Sequence, residues 1–221
     1  MIFFDIETKS LTAEELLERQ PKFKARSNIK NPKLIEADIE AKKDAWINKA
    51  ALDPYTGRVI AIGWAQDDGD IICEHYGSSN ESGHEFNMLD AFWCKFRELN
   101  EHVFCGFNIL SFDLPFLIRR SFTLGVKVPK DVNGVFNFAS TSGRRMNSRF
   151  LDLVDFWRLG NFQDRISLSN FAVHCGFNPK TESGKDFSRL LETDIKSATE
   201  YLKNDVQLCR DIYNRVIGGE N

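Results

Sequence analysis

Residues Ile2-Phe3-Phe4-Asp5-Ile6-Glu7 decide how this chain is to be read. Apolar side chains on both faces of the run specify a buried strand, and the period-two alternation of a strand puts Asp5 and Glu7 on the same face. At an effective dielectric of about 20, like charges about 4 Å apart repel by about 4 kcal/mol. Two carboxylates withdrawn from water on one face therefore call for a shared proton or cation. The same letters recur at Asp38-Ile39-Glu40, inside a stretch whose Ile35, Ile39, Trp46 and Ala50 follow helical spacing. On a helix, positions i and i+2 diverge by roughly 200°, so that second pair cannot converge on one ion.

Working outward, Arg58 to Ala65 and Ile71 to Tyr76 read as two more strands, joined by the turn Asp67-Asp68-Gly69-Asp70. A helix from about Glu85 to Leu99 follows, then a strand from His102 to Phe107, a helix starting near Ser111, a strand from Phe150 to Phe156 and two closing helices. This order specifies an α/β fold, a mixed sheet covered by helices. Residues 1–221 form a single domain in this reading, and 9–56 are a charged helical insertion within it. The stretch Asn137 to Arg149, rich in Ser, Gly, Asn and Arg, reads as a loop.

Composition narrows the functional classes. The chain has 221 residues, is 42% hydrophobic and carries 29 Lys+Arg against 32 Asp+Glu, a formal charge of −3. That balance excludes an evenly basic architectural DNA binder, so any nucleic-acid contact has to be local or carried by metal ions. The five cysteines (73, 94, 105, 175 and 209) form no CxxC pair. They suit neither a disulfide framework nor a zinc site, and point to a reducing, cytoplasmic setting. No stretch has the signature of a signal peptide or a membrane span, so no membrane association is expected. His75, His84, His102 and His174 lack metal-ligand spacing.

Two further constellations carry chemistry. On the last helix Ile195, Ala198, Leu202, Val206, Cys209, Tyr213 and Val216 define an apolar face, and Asp205 falls inside that arc. A buried carboxylate there needs a cation or a dense hydrogen-bond shell. Tyr201, one turn earlier, lies on nearly the same line. In Asn108-Ile109-Leu110-Ser111-Phe112-Asp113, Ser111 is the expected N-cap, Pro115 a first-turn residue, and Asp113 an acid in the first turn of a helix. There the helix dipole alone would favour Asp113. Asp152 and Asp155, three apart on the expected Phe150–Phe156 strand, face opposite sides, and one of them should be structural, paired with a basic group.

Taken together, Asp5-x-Glu7, Asn108-x-x-x-Phe112-Asp113 and Tyr201-x-x-x-Asp205 resemble the three exonuclease motifs of the DEDD superfamily. The tyrosine form is similar to its DEDDy branch, and the Asn-x-x-x-Phe-Asp form resembles the proofreading exonuclease domains of family B DNA polymerases and their stand-alone relatives. The segment Ala51 to Arg58 also looks like the entry to the second strand in such relatives. The resemblance implies a ribonuclease H-like fold: a mixed five-stranded sheet with helices on both faces, here with the helical insertion added. It departs from the family pattern in the long insertion and in the absence of a polymerase domain from this chain.

The resemblance further implies a metal-dependent 3′-to-5′ exonuclease acting on DNA 3′ ends by a two-metal-ion mechanism and releasing nucleoside 5′-monophosphates. Asp5, Glu7, Asp113 and Asp205 would hold two divalent cations, and oxygen-only ligands favour Mg2+ or Mn2+. Asp5 would bridge both ions, Glu7 and Asp205 would complete the site of the attacking water, and Asp113 would serve the leaving-group side. Tyr201 would orient that water, since an unperturbed phenol titrates near 10 and is a poor base at neutral pH. Thr8, Asn108 and Phe112 are the candidates for gripping a single-stranded 3′ end. Arg144, Arg145 and Arg149, with Arg119 and Arg120, are the candidates for tracking phosphates. Two other readings stay open: an RNA 3′-to-5′ exonuclease, or a non-catalytic adaptor whose 9–56 insertion docks a replication or repair partner.

Overall fold

In the computed structural model, which describes residues 1–75, 82–129, 149–178 and 187–218, strand β1 (Ile2–Ser10) occupies the middle of a five-stranded sheet. The other strands are β2 (Gly57–Gln66), β3 (Ile72–His75), β4 (Phe104–Gly106) and β5 (Phe150–Asp152), in the order β3-β2-β1-β4-β5. β1–β4 and β4–β5 are parallel and β2–β3 antiparallel, with Ile2 opposite Phe104, Cys105 opposite Leu151 and Gly63 opposite Cys73. The helices are α1 (Ala13–Arg19), α2 (Pro32–Asn48), α3 (Ser82–Glu98), α4 (Asp113–Leu124), α5 (Leu153–Arg158), α6 (Leu168–His174), α7 (Phe187–Thr193) and α8 (Ile195–Val216). This is the mixed, helix-covered sheet of a ribonuclease H-like fold.

The chain divides into two compact units, Met1–Glu7 with Val59–Asn221, and Thr8–Arg58. In the first, strand alternation sorts side chains to two faces. Ile2, Phe4 and Ile6 of β1 join Phe104 and Phe150 in a core with Met88, Leu89, Phe92, Trp93 and Phe96 of α3 and Leu114, Phe116 and Leu117 of α4. Phe3 turns the other way, to Leu153, Phe171, Val206, Cys209 and Ile212 of α5, α6 and α8. Ile60 and Ala61 of β2 meet Phe187 and Leu191 of α7 and Tyr201 and Leu202 of α8.

Two glycines set how closely the layers approach. A Cβ on Gly63 would lie 2.8 Å from Leu202 Cγ and 3.0 Å from Val206 Cγ2, so its absence lets α8 lie directly on β2. A Cβ on Gly106 would lie 2.6 Å from the Phe4 carbonyl oxygen, which the parallel β1–β4 pair could not accommodate without moving backbone.

The Thr8–Arg58 unit starts α1 with a reciprocal capping box: Glu15 N–H donates to Thr12 Oγ1 at 3.3 Å and Thr12 N–H to Glu15 Oε2 at 2.9 Å. Arg58 pairs with the same Glu15, and Leu11, Leu16 and Ala50 pack with Trp46 in a small core. α2 itself buries no residue, because its apolar positions are too few to make a core-facing stripe.

Several expectations differ, beginning with the two closing helices, in whose place four described helices follow β5. The strand expected over Phe150–Phe156 ends at Asp152, whose side chain caps α5 by accepting from Val154 N–H at 3.1 Å. A short apolar run is equally legible as strand or buried helix, and the capping acid decides it. The His102–Phe107 strand shortens to Phe104–Gly106. α4 begins after Phe112 with no side-chain cap, so Ser111 is not its N-cap. Tyr76 and residues 137–148 of the expected loop lie outside the described residues.

α3 and α4 are joined by a buried ion pair. Arg120 Nε and a terminal guanidinium nitrogen donate to Glu85 at 2.8 and 2.6 Å, and Val59 N–H donates to Glu85 at 2.9 Å. Removing one partner strands the other away from water. Glu85→Ala should cost about 3–5 kcal/mol of unfolding free energy, and the paired change Glu85→Leu with Arg120→Met clearly less than that. Urea denaturation of the two variants checks the difference.

Candidate active site

Phe3, Asp5 and Glu7 occupy one face of β1, and Tyr213, Cys209, Asp205 and Tyr201 succeed one another at four-residue intervals on α8. Two strand residues advance about 6.8 Å and four helix residues about 6 Å, so the two rows stay matched along their length. At one end Phe3 packs edge-on against Tyr213, ring centroids 5.5 Å apart. Further along, apolar pairs give way to acids. Carboxylate oxygens of Asp5, Glu7 and Asp205 all lie within 4.8 Å of one another. Asp205 is 5% exposed, while Asp5 and Glu7 are half-buried. Among the described residues these three form the one cluster of three or more such ligand groups. Tyr201, one turn from Asp205, is 9% exposed and packs on Phe187.

This donor set is all oxygen and all anionic, with neither imidazole nor thiolate. It fits hard cations of the Mg2+ or Mn2+ type and not zinc.

Asp113 opens α4 from the adjacent layer. It is 3% exposed, and its Oδ1 accepts from the Ile6 N–H, between the two β1 acids, at 3.2 Å. Burial raises its pKa well above the ordinary carboxylate value, and the Asp5 charge pushes the same way, while the hydrogen bond from Ile6 opposes both. Asp113 thus shares the field of Asp5 without belonging to the 4.8 Å cluster.

The turn before Asp113 is built on Asp152, one of the two acids of which the sequence expected one to be structural and paired with a basic group. Asp152, 2% exposed, accepts from Asn108 N–H at 2.7 Å and Leu110 N–H at 3.0 Å, besides capping α5. It therefore pairs with backbone amides, not with a basic group. Burial moves its pKa up to about 6, the three amides acting in the opposite sense. Asn108 has φ +61, a left-handed conformation that Asn tolerates better than most residues. Asp155 lies on α5, near Arg158 at 3.9 Å. The signal in the sequence was an acid closing an apolar run where a helix could begin.

The candidate nucleic-acid contacts fall in different places. Asn108 and Phe112 flank the Asp113 turn, with Phe112 half-buried against Phe116 at 5.5 Å. The Thr8 hydroxyl donates to the Ala51 carbonyl at 2.7 Å. Two arginines are not available to phosphates. Arg120 is buried against Glu85. Arg149 lies over the Phe96 ring at 4.1 Å and donates to the carbonyls of Phe96, Leu99 and His102. These long-range partners take both residues out of the set expected to track phosphates. Arg119 is exposed, and Arg144 and Arg145 lie outside the described residues.

Comparison with known proteins agrees with the fold. A family model described as "Predicted 3'-5' exonuclease related to the exonuclease domain of PolB" matches residues 52–216. That span includes Asp113, Asp152, Tyr201 and Asp205 and excludes Asp5 and Glu7. The family B DNA polymerase from the hyperthermophilic archaeon Pyrobaculum calidifontis is similar over 98% of this chain, with a TM-score of 0.60 and 15% identity. The chain spans 24% of that polymerase chain, and at this identity the likeness concerns the fold. No curated protein matches the sequence. Among the described residues, no helix is long and apolar enough to cross a membrane.

The electrostatics of Asp113 predict a specific linkage. Its folded pKa is raised, so its contribution to stability is full below the unfolded value of about 4 and is lost as pH climbs through the folded value. Asp113→Asn removes that loss. With EDTA present the variant should melt above wild type at neutral pH and the gap should close toward acid; equal melting curves at every pH refute the assignment. Asp152→Ala leaves buried amides unpaired. It should cost at least about 2 kcal/mol and speed hydrogen exchange at Asn108 and Leu110 more than in β1.

Proposed function

The chain belongs to the family of predicted 3′-5′ exonucleases related to the exonuclease domain of PolB, and from that premise we propose that it hydrolyses phosphodiester bonds at DNA 3′ ends with the help of divalent cations, releasing nucleoside 5′-monophosphates. The observation that carries the reading is the convergence of Asp5, Glu7 and Asp205, far apart in sequence, to within 4.8 Å. Such a cluster is unstable as three bare charges and repels a phosphodiester, so both the protein and its substrate need cations there.

Asp5, Glu7 and Asp205 would hold the cations, with Asp113 supplying a further carboxylate from α4. Bound there, Mg2+ or Mn2+ supplies charge neutralisation at the phosphate and lowers the pKa of water. The side chains of this chain do the rest. Tyr201 holds the attacking water by a hydrogen bond and sets its line of approach, acting as an orienter at neutral pH. The Asn108 turn, fixed by Asp152, presents Asn108 and Phe112 to the terminal nucleotides. The aromatic face of Phe112 offers sequence-tolerant stacking.

Incubation of the purified chain with 5′-labelled single-stranded DNA, recessed duplex DNA and RNA, in Mg2+, Mn2+ or EDTA, tests this. A ladder shortening from the 3′ end is expected in metal and not in EDTA. Asp5→Ala should abolish it. Tyr201→Phe should lower kcat by about 10²-fold with metal affinity, read by calorimetry, nearly unchanged. Faster trimming of RNA than of DNA would move the substrate to RNA. Intact strands in every metal, with tight binding, would make the chain an adaptor.

A further inference from the structure

The Thr8–Arg58 unit has a charge of its own. It carries 11 Lys+Arg against 8 Asp+Glu in a chain whose formal net charge is −3. The excess is concentrated between α1 and α2, where Pro21-Lys22-Phe23-Lys24-Ala25-Arg26-Ser27-Asn28-Ile29-Lys30-Asn31-Pro32-Lys33 holds five cations and no acid. This segment precedes residue 52, where the family match begins.

The segment is held in place by its own small set of contacts. Phe23 packs edge-on against Trp46 of α2, ring centroids 6.1 Å apart. Arg26 is clamped to Asp38, its Nε donating at 2.8 Å and its backbone N–H at 3.0 Å. Lys42 donates to the Lys24 carbonyl at 2.6 Å and pairs with Asp38 at 3.0 Å. Asn31 caps α2, accepting from Lys33 N–H. From residue 22 to 26 exposure alternates: Lys22, Lys24 and Arg26 are exposed, Phe23 and Ala25 are half-buried. Period-two exposure is the mark of an extended backbone with one face turned to solvent. Alternate residues in such a backbone lie roughly 7 Å apart, a repeat that suits successive phosphates of a stretched single strand. Lys30 and Lys33 continue the exposed row beyond the turn. None of the ammonium groups of Lys22, Lys24, Lys30 and Lys33 forms an ion pair among the described residues, whereas the flanking Lys42 and Lys43 do.

A merely solvated charge run is ordinarily interspersed with acids and needs no anchoring. Here the acids are absent and the strap is pinned by an aromatic pair and an ion pair, so the ordering of a cationic row has been settled before any polyanion arrives. We propose that this strap is a nucleic-acid backbone contact, with Lys22, Lys24, Lys30 and Lys33 binding phosphates without regard to base. The proposal goes beyond the hydrolytic site, and it rests on the exonuclease reading only for the choice of polyanion.

The test uses the full chain and the variant Lys22→Gln, Lys24→Gln, Lys30→Gln, Lys33→Gln. Anisotropy of a labelled oligothymidine is measured in EDTA across a salt series, and hydrolysis of thymidine 5′-monophosphate p-nitrophenyl ester, a single nucleotide with no run of phosphates for a row of lysines to hold, is measured in Mn2+. Four phosphate contacts on a single strand contribute about 0.7 each to the slope of log K against log salt. The variant should therefore lose about 3 from that slope and bind at least 10-fold more weakly at low salt, with ester hydrolysis unchanged. The four-Arg variant should restore the slope. An unchanged slope and affinity in a variant with wild-type ester hydrolysis overturns the strap and leaves the exonuclease reading standing. Ester and oligonucleotide both inert to the wild-type chain in every metal, with the slope change still present, overturns the exonuclease reading and leaves the strap. Binding lost to phosphatidylserine vesicles but retained to the oligonucleotide assigns the strap to a lipid surface and overturns the proposal.

Discussion

Mutual repulsion among Asp5, Glu7 and Asp205 is the constraint under which the rest of the first unit is built. Oxygens within 4.8 Å, if ionised, repel by about 3 to 4 kcal/mol per pair at an effective dielectric of about 20, a large share of the 5 to 15 kcal/mol that keeps a typical domain folded. A protein can hold such a cluster together only by over-determining the elements that carry it. β1 is central in the sheet, hydrogen-bonded to neighbours on both sides, and α8 is the longest helix among those described, burying seven residues. Gly63 removes the side chain that would hold α8 away from the sheet. The strain is local, and the packing that contains it covers both faces of the sheet.

Asp113 and Asp152 show two ways of burying an acid. Asp152 is surrounded by donors: three backbone amides reach its two oxygens, and it joins β5, α5 and the Asn108 turn into one piece. Asp113 receives one long-range amide and faces the charge of Asp5. The first arrangement stabilises a backbone conformation, including the left-handed Asn108. The second leaves a buried carboxylate beside a like charge, with backbone amides opposing the cost only in part. A carboxylate raised by burial and by a neighbouring charge is a functional-site candidate, and Asp152 holds the turn that leads to it.

The parts of this arrangement governed by local periodicity were legible in the sequence. A period of two put Asp5 and Glu7 on one side, and a period of 3.6 put Asp205 among apolar residues. The helical Asp38-Ile39-Glu40 pair was separable from its strand counterpart on the same grounds, and in the structure Asp38 is taken up by Arg26 and Lys42. What depended on distant partners was not legible. Arg120 and Arg149 read as cations free to track phosphates because Glu85, the Phe96 ring and three carbonyls are brought to them only by folding. β5 read as too long because Leu153-Val154-Asp155-Phe156 suits either element, and one capping hydrogen bond from Val154 decides the matter. Ser111 read as a cap because the Asn108 turn was not visible in the sequence: there the Phe112 and Leu114 amides are taken by the Asn108 and Ile109 carbonyls, and Asp152 holds the turn through the Asn108 and Leu110 amides.

The fate of the arginines also bears on how a polyanion can approach this chain. In the first unit Arg120 and Arg149 are committed to the interior, and Arg210 donates to the carbonyls of Asp67 and Gly69. In the second, Arg58 and Arg26 are committed to Glu15 and Asp38. Guanidinium groups, with their fixed fork of donors, go to carbonyl and carboxylate partners that match it. The lysines of the strap, compact charges on flexible stems, remain outside such commitments. With a net charge of −3 and an acidic cluster at the proposed site, long-range attraction of nucleic acid cannot come from the chain as a whole. It is left to cations bound at the acids and to a basic region such as the proposed strap, where Arg26 is committed to Asp38 and the lysines remain for contact.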